Sequence, residues 1–268
     1  MNQKYRENYT IRSYDANFLG ELKLNNLLQY LQEIAGNHAH ELNLGYHHLI
    51  DRDMTWLLSR MHVKIDSMPV WRDDISISTW AKGQKKLYAI RDFTIAQGGA
   101  SRADLPPLIA ATSAWILWDI KNKKPIIPTT ELAGIEFCEE PAISQFPAKL
   151  SAPTKGKGDL KTTRQVDFDE IDLLGHVNNT QYIKWILNSY DLDFYRKNRI
   201  VEFQINYLQE AKYRDQIEIS HLPAELDSVT KGLYSQIISA RRADEDVTHF
   251  VARIGYVERN RDADIGQP

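Results

Sequence analysis

The feature that most constrains this chain is an internal repeat. Leu19–Leu22 (LGEL) aligns with Leu174–Val177 (LGHV) at an offset of 155 residues, and Val63–Ile75 aligns with Ile205–Ile217 at an offset of 142 residues. The matched positions are mostly apolar, and both segments keep the same order along the chain. Because self-similarity of this kind indicates repeated structural units, we predict a duplicated domain whose second copy has a shorter connection between its helix and its strands.

Each copy begins with an amphipathic helix that is followed by strands. Apolar residues recur with helical spacing in 24–38 and in 180–195. Segments of alternating or continuous apolar residues follow each helix and predict strands. These segments are 61–65, 75–77, 88–95 and 110–118 in the first copy, and 203–207, 217–219, 233–240 and 250–257 in the second. A helix followed by a run of strands is typical of an α+β fold and not of a doubly wound sheet.

The domain boundaries follow from length and local composition. A chain of 268 residues fits two domains of ordinary size. The segment 151–161 (SAPTKGKGDLK) and the proline-containing stretch before it have the composition of an exposed linker. We therefore predict an N-terminal domain over 1–150, a linker over 151–161 and a C-terminal domain over 162–268.

Composition and charge exclude several classes of protein. The formal net charge of −3 provides no basic field for nucleic acid. No apolar run reaches the length of about 18 residues that a membrane-spanning helix needs, and the polar N-terminus lacks an apolar signal-peptide core. The one cysteine, Cys138, excludes an internal disulfide and a multi-cysteine metal site. We expect a cytoplasmic protein that binds neither nucleic acid nor membrane and uses no metal or cofactor.

Residues suited to acid–base chemistry differ between the two copies. The aligned pairs that differ in this way are Asp172 with Asn17, His176 with Glu21, and Glu210 with Met68. A duplicated fold needs the same apolar core in both copies but only one set of catalytic groups. The second copy is therefore predicted to carry the chemistry.

The turn before the second helix combines features that suit a reactive site. Gly175 permits a tight turn, and the side chain of Asn178 or Asn179 can cap the first turn of the helix. Free N–H groups at a helix N-terminus, here near Val177 and Asn178, can polarise a carbonyl oxygen. His176 lies in this turn and outside any apolar stripe, which makes it a candidate functional residue.

Four motifs occur in a fixed order along the chain. The first half contains WLLSRM at 56–61 and PVWRD at 69–73, and the second half contains DLLGHVNNTQY at 172–182 and YLQE at 207–210. This ordered set resembles the acyl-acyl carrier protein thioesterases, in the bacterial branch related to the plant plastid enzymes. Their pattern is Asp-x-Asn-x-His-Val-Asn-Asn-x-x-Tyr followed by Tyr-x-x-Glu. The resemblance extends over residues 5–258.

The resemblance implies a fold, a reaction and a partner. The fold is a double hotdog, in which each of two tandem units wraps an antiparallel sheet around one long helix. The reaction is hydrolysis of the thioester between a fatty acyl chain and the phosphopantetheine arm of acyl carrier protein. The catalytic aspartate, histidine and glutamate of the family fall on Asp172, His176 and Glu210. Its asparagine falls on Leu174, which has no hydrogen-bonding side chain, so Asn178 or Asn179 is a candidate replacement.

The resemblance also implies where the substrate binds. The first half is expected to form an apolar tunnel for the acyl chain, with the candidate lining residues Leu27, Leu28, Leu31, Trp56 and Met61. Acyl carrier protein is strongly acidic, so a basic docking patch is expected. The lysine clusters that could form it are Lys82, Lys85 and Lys86, then Lys121, Lys123 and Lys124, and finally Lys155, Lys157 and Lys161.

Two mechanisms fit these residues. In the first, Glu210 activates a water molecule, Asp172 orients the imidazole, and His176 assists Glu210, orients the thioester carbonyl or holds the water. In the second, Asp172 itself attacks the thioester and forms an anhydride. Two other functions also stay open, an acyl-CoA thioesterase and a non-catalytic acyl-binding sensor, and the leucine at position 174 lends weight to the sensor. The sequence leaves a homodimer open as well.

Overall fold

The chain divides into two compact units, Met1–Pro147 and Ala148–Pro268. The computed structural model describes residues 4–98, 106–154, 156, 158–243 and 247–260. Two of the lysines proposed for docking, Lys155 and Lys157, lie outside these residues. Within the described ranges, no helix is both long enough and apolar enough to cross a lipid bilayer.

The first unit packs one long helix against an antiparallel sheet. Its elements in chain order are β1 (Tyr5–Thr10), α1 (Leu24–Glu41), α2 (Tyr46–Ile50), β2 (Met54–Ile65), β3 (Asp74–Lys85), β4 (Tyr88–Gln97), β5 (Ile109–Asp119) and β6 (Lys124–Ile126). The strand order is β1-β3-β4-β5-β2, with β6 paired to β5. Leu27, Leu31 and Ile34 line the buried face of α1, which has the apolar spacing that predicted the helix.

The second unit repeats this arrangement. Its elements are β7 (Asp159–Gln165), a 3-10 turn (Phe168–Glu170), α3 (Asn179–Asn188), α4 (Leu192–Lys197), β8 (Asn198–Tyr207), β9 (Gln216–His221), β10 (Glu225–Leu226), β11 (Tyr234–Arg242) and β12 (Thr248–Glu258). The strand order is β7-β9-β11-β12-β8, with β10 paired to β11. On α3, the ring of Tyr182 packs against Phe250 of β12 and Tyr207 of β8, with centroid distances of 5.6 and 5.8 Å.

The two sheets have the same strand order when the corresponding strands are compared. In both units the first strand lies at one edge, and the strand that follows the helices lies at the other end of the order given above. The α+β class and the internal repeat are therefore confirmed. The shorter second connection is also confirmed, because residues 189–197 join α3 to β8, whereas the longer segment 42–53 joins α1 to β2.

The second predicted helix is interrupted. The sequence pattern predicts one helix over 180–195, but α3 ends at Asn188 and α4 begins at Leu192. The carboxylate of Asp191 accepts the N–H of Phe194 at 2.7 Å and so caps a new helix. Aspartate competes for backbone N–H groups in this way and is better suited to a helix start than to a helix interior.

The proline-containing stretch Pro141–Pro147 is not an exposed linker. The buried carboxylate of Asp92 accepts the N–H of Ala142 at 2.8 Å, and Lys82 donates to the carbonyl of Ile143 at 3.0 Å. Local composition indicated a linker because prolines exclude regular secondary structure. Side chains of the first sheet nevertheless hold this stretch.

Candidate active site

The loop that carries His176 is closed by its own hydrogen bonds. Oδ1 of Asp172 accepts the N–H groups of Leu174 at 2.8 Å and of His176 at 3.4 Å. The Asp172 N–H in turn donates to the carbonyl of His176 at 2.8 Å. Gly175 has a φ of +79°, a conformation that favours glycine. The predicted tight turn is therefore present.

The first unit contains the same loop without an imidazole. Oδ1 of Asn17 accepts the N–H groups of Leu19 at 2.8 Å and of Glu21 at 3.1 Å, and Gly20 also has a φ of +79°. The loop therefore requires a side-chain oxygen at its first position, but that oxygen does not have to belong to a carboxylate. An asparagine serves there as well as Asp172 does.

A buried carboxylate supports the loop that carries His176 from the interior of the second unit. Glu170 is 3% exposed and accepts Nε1–H of Trp185 at 2.7 Å. Both of its oxygens also lie 2.6 Å from Nη2 of Arg164, and its carbonyl accepts the N–H of Asn178 at 2.9 Å. Because Glu170 joins β7, α3 and the loop, it fixes where the loop lies relative to the helix.

In the first unit, Asp15 is the counterpart of Glu170. This buried carboxylate accepts the hydroxyl of Tyr30 at 2.7 Å, and its carbonyl accepts the N–H of Lys23 at 2.9 Å. The sequence analysis did not single out either carboxylate. The repeat contained the signal, because the offset of 155 residues also aligns Asp15 with Glu170 and Tyr30 with Trp185.

Asn178 is the residue that caps α3. Its Oδ1 accepts both the N–H and the hydroxyl of Thr180, at 2.9 and 2.8 Å. The expectation that the N–H groups of Val177 and Asn178 polarise a carbonyl is wrong. Val177 donates to the carbonyl of Ala211 at 3.0 Å and Asn178 donates to that of Glu170 at 2.9 Å, so both groups are occupied.

Asn179 has a different environment from its neighbour. Its side chain is half-buried, and in the part of the chain that the structure describes its amide has no hydrogen-bond partner. Its carbonyl accepts the hydroxyl of Tyr207 at 3.2 Å, which fixes the backbone. Of the two asparagines, Asn179 is therefore the one whose side chain is available to a ligand.

Glu210 lies in the segment that follows β8. The next residue, Ala211, is tied to the other side of the site, because its N–H donates to the hydroxyl oxygen of Tyr182 at 2.9 Å and its carbonyl accepts the N–H of Val177. Burial raises the pKa of Tyr182, so its hydroxyl stays neutral. The sequence analysis gave Tyr182 no role of its own, although the tyrosine is the last residue of the motif at 172–182.

The structure brings His176 and Glu210 into direct contact. Nε2 of His176 lies 3.0 Å from Oε2 of Glu210, and the two side chains are 29% and 48% exposed. Because an ionised carboxylate can only accept, Nε2 carries the proton, and in the neutral imidazole Nδ1 is then the acceptor. One of the two mechanisms in the sequence analysis placed Asp172 against the imidazole. In the described structure Oδ1 of Asp172 binds the backbone of the loop, and the carboxylate in contact with the ring is that of Glu210.

Two family models match the chain. The model of the acyl-ACP thioesterase N-terminal domain matches residues 2–134, and that of the C-terminal domain matches residues 155–258. The chain belongs to the acyl-ACP thioesterase family. Among its relatives, this thioesterase is 23% identical to the chloroplastic oleoyl-acyl carrier protein thioesterase 2 of Arabidopsis thaliana, over 98% of this chain and 75% of that protein. It is 24% identical to the chloroplastic oleoyl-acyl carrier protein thioesterase of Coriandrum sativum, over 92% and 71%.

Solved structures of acyl-ACP thioesterases have the same fold. An acyl-ACP thioesterase from Bacteroides thetaiotaomicron has a TM-score of 0.80 and 22% identity, over 95% of this chain and 98% of that one. The 12:0-ACP thioesterase from Umbellularia californica has a TM-score of 0.83 and 19% identity, over 96% and 95%. The double hotdog fold predicted from the sequence is confirmed.

The thioesterase departs from its family pattern at Leu174. The side chain of Leu174 is half-buried, and only its backbone N–H takes part in the loop, as a donor to Asp172. The first unit has a leucine, Leu19, at the same place. The loop therefore forms without the family asparagine, and a polar group for the substrate must come from another residue.

The candidate tunnel residues lie in the first unit. Leu27, Leu28 and Leu31 are buried on α1, and Met61 is buried on β2. Trp56 is partly buried, donates Nε1–H to the carbonyl of Leu44 at 3.1 Å, and packs against the cluster formed by Leu49, Met54 and Leu117. Their positions agree with core packing as well as with a lining role, so the tunnel stays a prediction.

The lysine clusters differ in their availability. Nζ of Lys82 lies 3.2 Å from the buried carboxylate of Asp92, and the ammonium of Lys85 lies 4.7 Å from the ring centroid of Phe146. The first cluster is thus partly engaged by its own unit. An exposed cluster lies on the hairpin between β5 and β6 and comprises Lys121, Lys123 and Lys124.

Proposed function

We propose that His176 and Glu210 carry out the hydrolysis of fatty acyl-acyl carrier protein thioesters, the reaction that membership of this family assigns to the chain. The observation that supports these roles is the 3.0 Å contact between the two side chains. The first unit has the same loop but holds Glu21 and Met68 at the corresponding positions, so it lacks an imidazole–carboxylate pair there. The chemistry is accordingly assigned to the second unit.

The imidazole of His176 is a stronger candidate for the general base than the carboxylate of Glu210. Nδ1 of His176 accepts a proton from water, and the water oxygen attacks the carbonyl carbon of the thioester. Glu210 accepts the Nε2–H and stabilises the imidazolium that forms. The C–S bond then breaks, and the imidazolium returns its proton to the departing thiolate. An imidazole is a better base than a carboxylate near neutral pH, which favours this division of roles.

Asn179 is proposed to bind the thioester carbonyl. A developing oxyanion needs a hydrogen-bond donor within about 3 Å. The nearby backbone N–H groups of Val177 and Asn178 are occupied, whereas the side-chain amide of Asn179 is not engaged by any described residue. Asn179 would thereby replace the family asparagine that falls on Leu174, while Asn178 contributes by capping the helix.

Replacing Asp172 with asparagine is expected to keep kcat within about tenfold of the original enzyme. The asparagine keeps the oxygen that accepts the two N–H groups of the loop, as Asn17 does in the first unit. Asp172→Ala removes that acceptor and should lower kcat about 100-fold, because small displacements of a catalytic group are costly. Steady-state kinetics on an acyl-acyl carrier protein substrate tests both.

Single turnover in ¹⁸O-labelled water separates the two chemical routes. Attack by water places the label in the fatty acid and none in the protein. Label in the carboxylate of Asp172, together with an inactive Asp172→Asn variant, would reject water attack in favour of the anhydride route.

Docking of the acidic carrier protein is proposed to involve the hairpin cluster Lys121, Lys123 and Lys124. Changing all three lysines to glutamate should lower kcat/KM on acyl-acyl carrier protein about tenfold or more, since reversed charges at a rim slow association. The rate on a small acyl thioester should not change. The matched control reverses three exposed lysines elsewhere, Lys149, Lys197 and Lys231. Equal losses in both triple variants would contradict this docking site.

Two other functions are tested by one substrate panel. Free fatty acid is measured after incubation with acyl-acyl carrier proteins and acyl-CoAs of several chain lengths. Faster turnover of acyl-CoA would favour an acyl-CoA thioesterase, and binding without turnover would favour an acyl-binding sensor. The panel also defines the chain-length preference that the proposed tunnel would set. A cytoplasmic location and a homodimer stay predictions, and the plant relatives are named as chloroplastic.

A further inference from the structure

A buried histidine holds the backbone that leads into Glu210. His249 is the second residue of β12 and is 0% exposed. Its carbonyl accepts the N–H groups of Leu208 at 2.9 Å and of Gln209 at 3.2 Å. Its ring nitrogen Nδ1 lies 3.2 Å from the carbonyl oxygen of Gln209. His249 therefore binds both the N–H and the C=O of Gln209, the residue that precedes Glu210.

The protonation of this ring follows from its contacts. A carbonyl oxygen only accepts, so Nδ1 of His249 carries the proton and Nε2 does not. Burial lowers the pKa of His249, which keeps the ring neutral in this tautomer. Nε2 is buried and has no hydrogen-bond partner among the described residues.

The imidazole brings a hydrogen-bond donor to a buried position beside the backbone of Gln209. An apolar side chain would avoid an unsatisfied ring nitrogen but would leave the carbonyl of Gln209 without this donor. The directed interactions of the imidazole are with the backbone, because Nδ1 donates to the carbonyl of Gln209 and the ring also interacts with the backbone of Glu210. These contacts hold the backbone at Gln209 and Glu210.

Glu210 depends on its backbone for its orientation. Its side chain is 48% exposed, and among the described residues its carboxylate contacts His176. A half-exposed glutamate samples several rotamers, so the position of its main chain decides how often the carboxylate meets the ring. Tyr182 holds the peptide N–H after Glu210, and His249 holds the peptide C=O before it.

We propose that His249 is a positioning residue that directs the carboxylate of Glu210 towards His176. This inference rests on the proposed function of the His176–Glu210 pair. His249 does not touch the reacting atoms and acts through the backbone of Gln209. Its loss is therefore expected to lower kcat while leaving substrate binding and folding largely unchanged.

Three substitutions at His249 test the proposal. Asparagine places an N–H near the Nδ1 position, glutamine places its N–H farther out, near the Nε2 position, and leucine has no donor. His249→Asn should keep kcat within about threefold, whereas His249→Gln and His249→Leu should lower kcat about 10- to 100-fold, with KM changed less than about twofold. Circular dichroism and thermal unfolding, measured on the same samples, should show intact folds.

The dependence on Glu210 is tested in a double variant. In the Glu210→Ala background, His249→Gln should cause no further loss of kcat, because the group it positions is absent. Equal activity of His249→Asn and His249→Gln would overturn the proposal, and so would an undiminished loss in the double variant. The controls distinguish a failure of the proposed function from a failure of the role of His249. Normal turnover of Glu210→Ala would reject the proposed function, whereas a slow Glu210→Ala with a fully active His249→Gln would reject the role of His249 alone.

Discussion

His176→Ala is expected to lower kcat about 1,000-fold on acyl-acyl carrier protein, within the range of about 10²–10⁴ for loss of a general base. The alanine removes both the proton acceptor and the donor that returns the proton to the thiolate. Glu210→Ala is expected to lower kcat about 100-fold, because the imidazole remains but loses the carboxylate that orients it and stabilises its cation. Neither change should alter the thermal midpoint greatly, since both side chains are partly exposed.

The repeat supplies a matched control for this experiment. Glu21 occupies the position of His176 in the first unit, in a loop with the same hydrogen bonds. Glu21→Gln should leave kcat unchanged. Added imidazole should restore part of the activity of His176→Ala if the lost group is the base. Near-normal turnover of both His176→Ala and Glu210→Ala would remove the proposed site.

Glu170→Leu is expected to destabilise the second unit by about 3 kcal/mol or more, the effect of removing one partner of a buried ion pair. The substitution leaves the guanidinium of Arg164 and the indole N–H of Trp185 without their acceptor. It also removes the hydrogen bonds through which Glu170 links Arg164 of β7 to Trp185 of α3. Urea unfolding followed by tryptophan fluorescence measures the change.

Two further variants define the cause of that loss. Asp169→Asn changes the exposed neighbour of Glu170 and should shift stability by no more than about 0.5 kcal/mol. Adding Arg164→Met to Glu170→Leu should recover part of the loss, since replacing both partners leaves no uncompensated charge. An unchanged unfolding midpoint for Glu170→Leu would contradict the supporting role.

Local patterns in the sequence predicted most of the regular structure. The apolar spacing of Leu27, Leu31 and Ile34 identified α1, and alternating residues identified the main strands. These patterns work because the period of a helix or strand is a property of neighbouring residues. The first strand, β1, was not predicted, since its residues are mostly polar and only its inward side, with Tyr5 and Tyr9, packs on the unit.

The sequence by itself also determined the duplication, and it predicts which half of the chain carries the chemistry, because both follow from comparing aligned positions. Only the tertiary structure decided that His176 meets Glu210 and not Asp172, that Asn178 caps the helix while the Asn179 amide stays available, and that His249 holds Gln209. These partners are separated by tens of residues in several cases. Their contacts depend on how the loop after β8 is joined to the loop before α3 and to β12. The spacing of residues within one segment does not predict how these two loops and β12 meet. The backbone hydrogen bonds of the folded unit fix that arrangement.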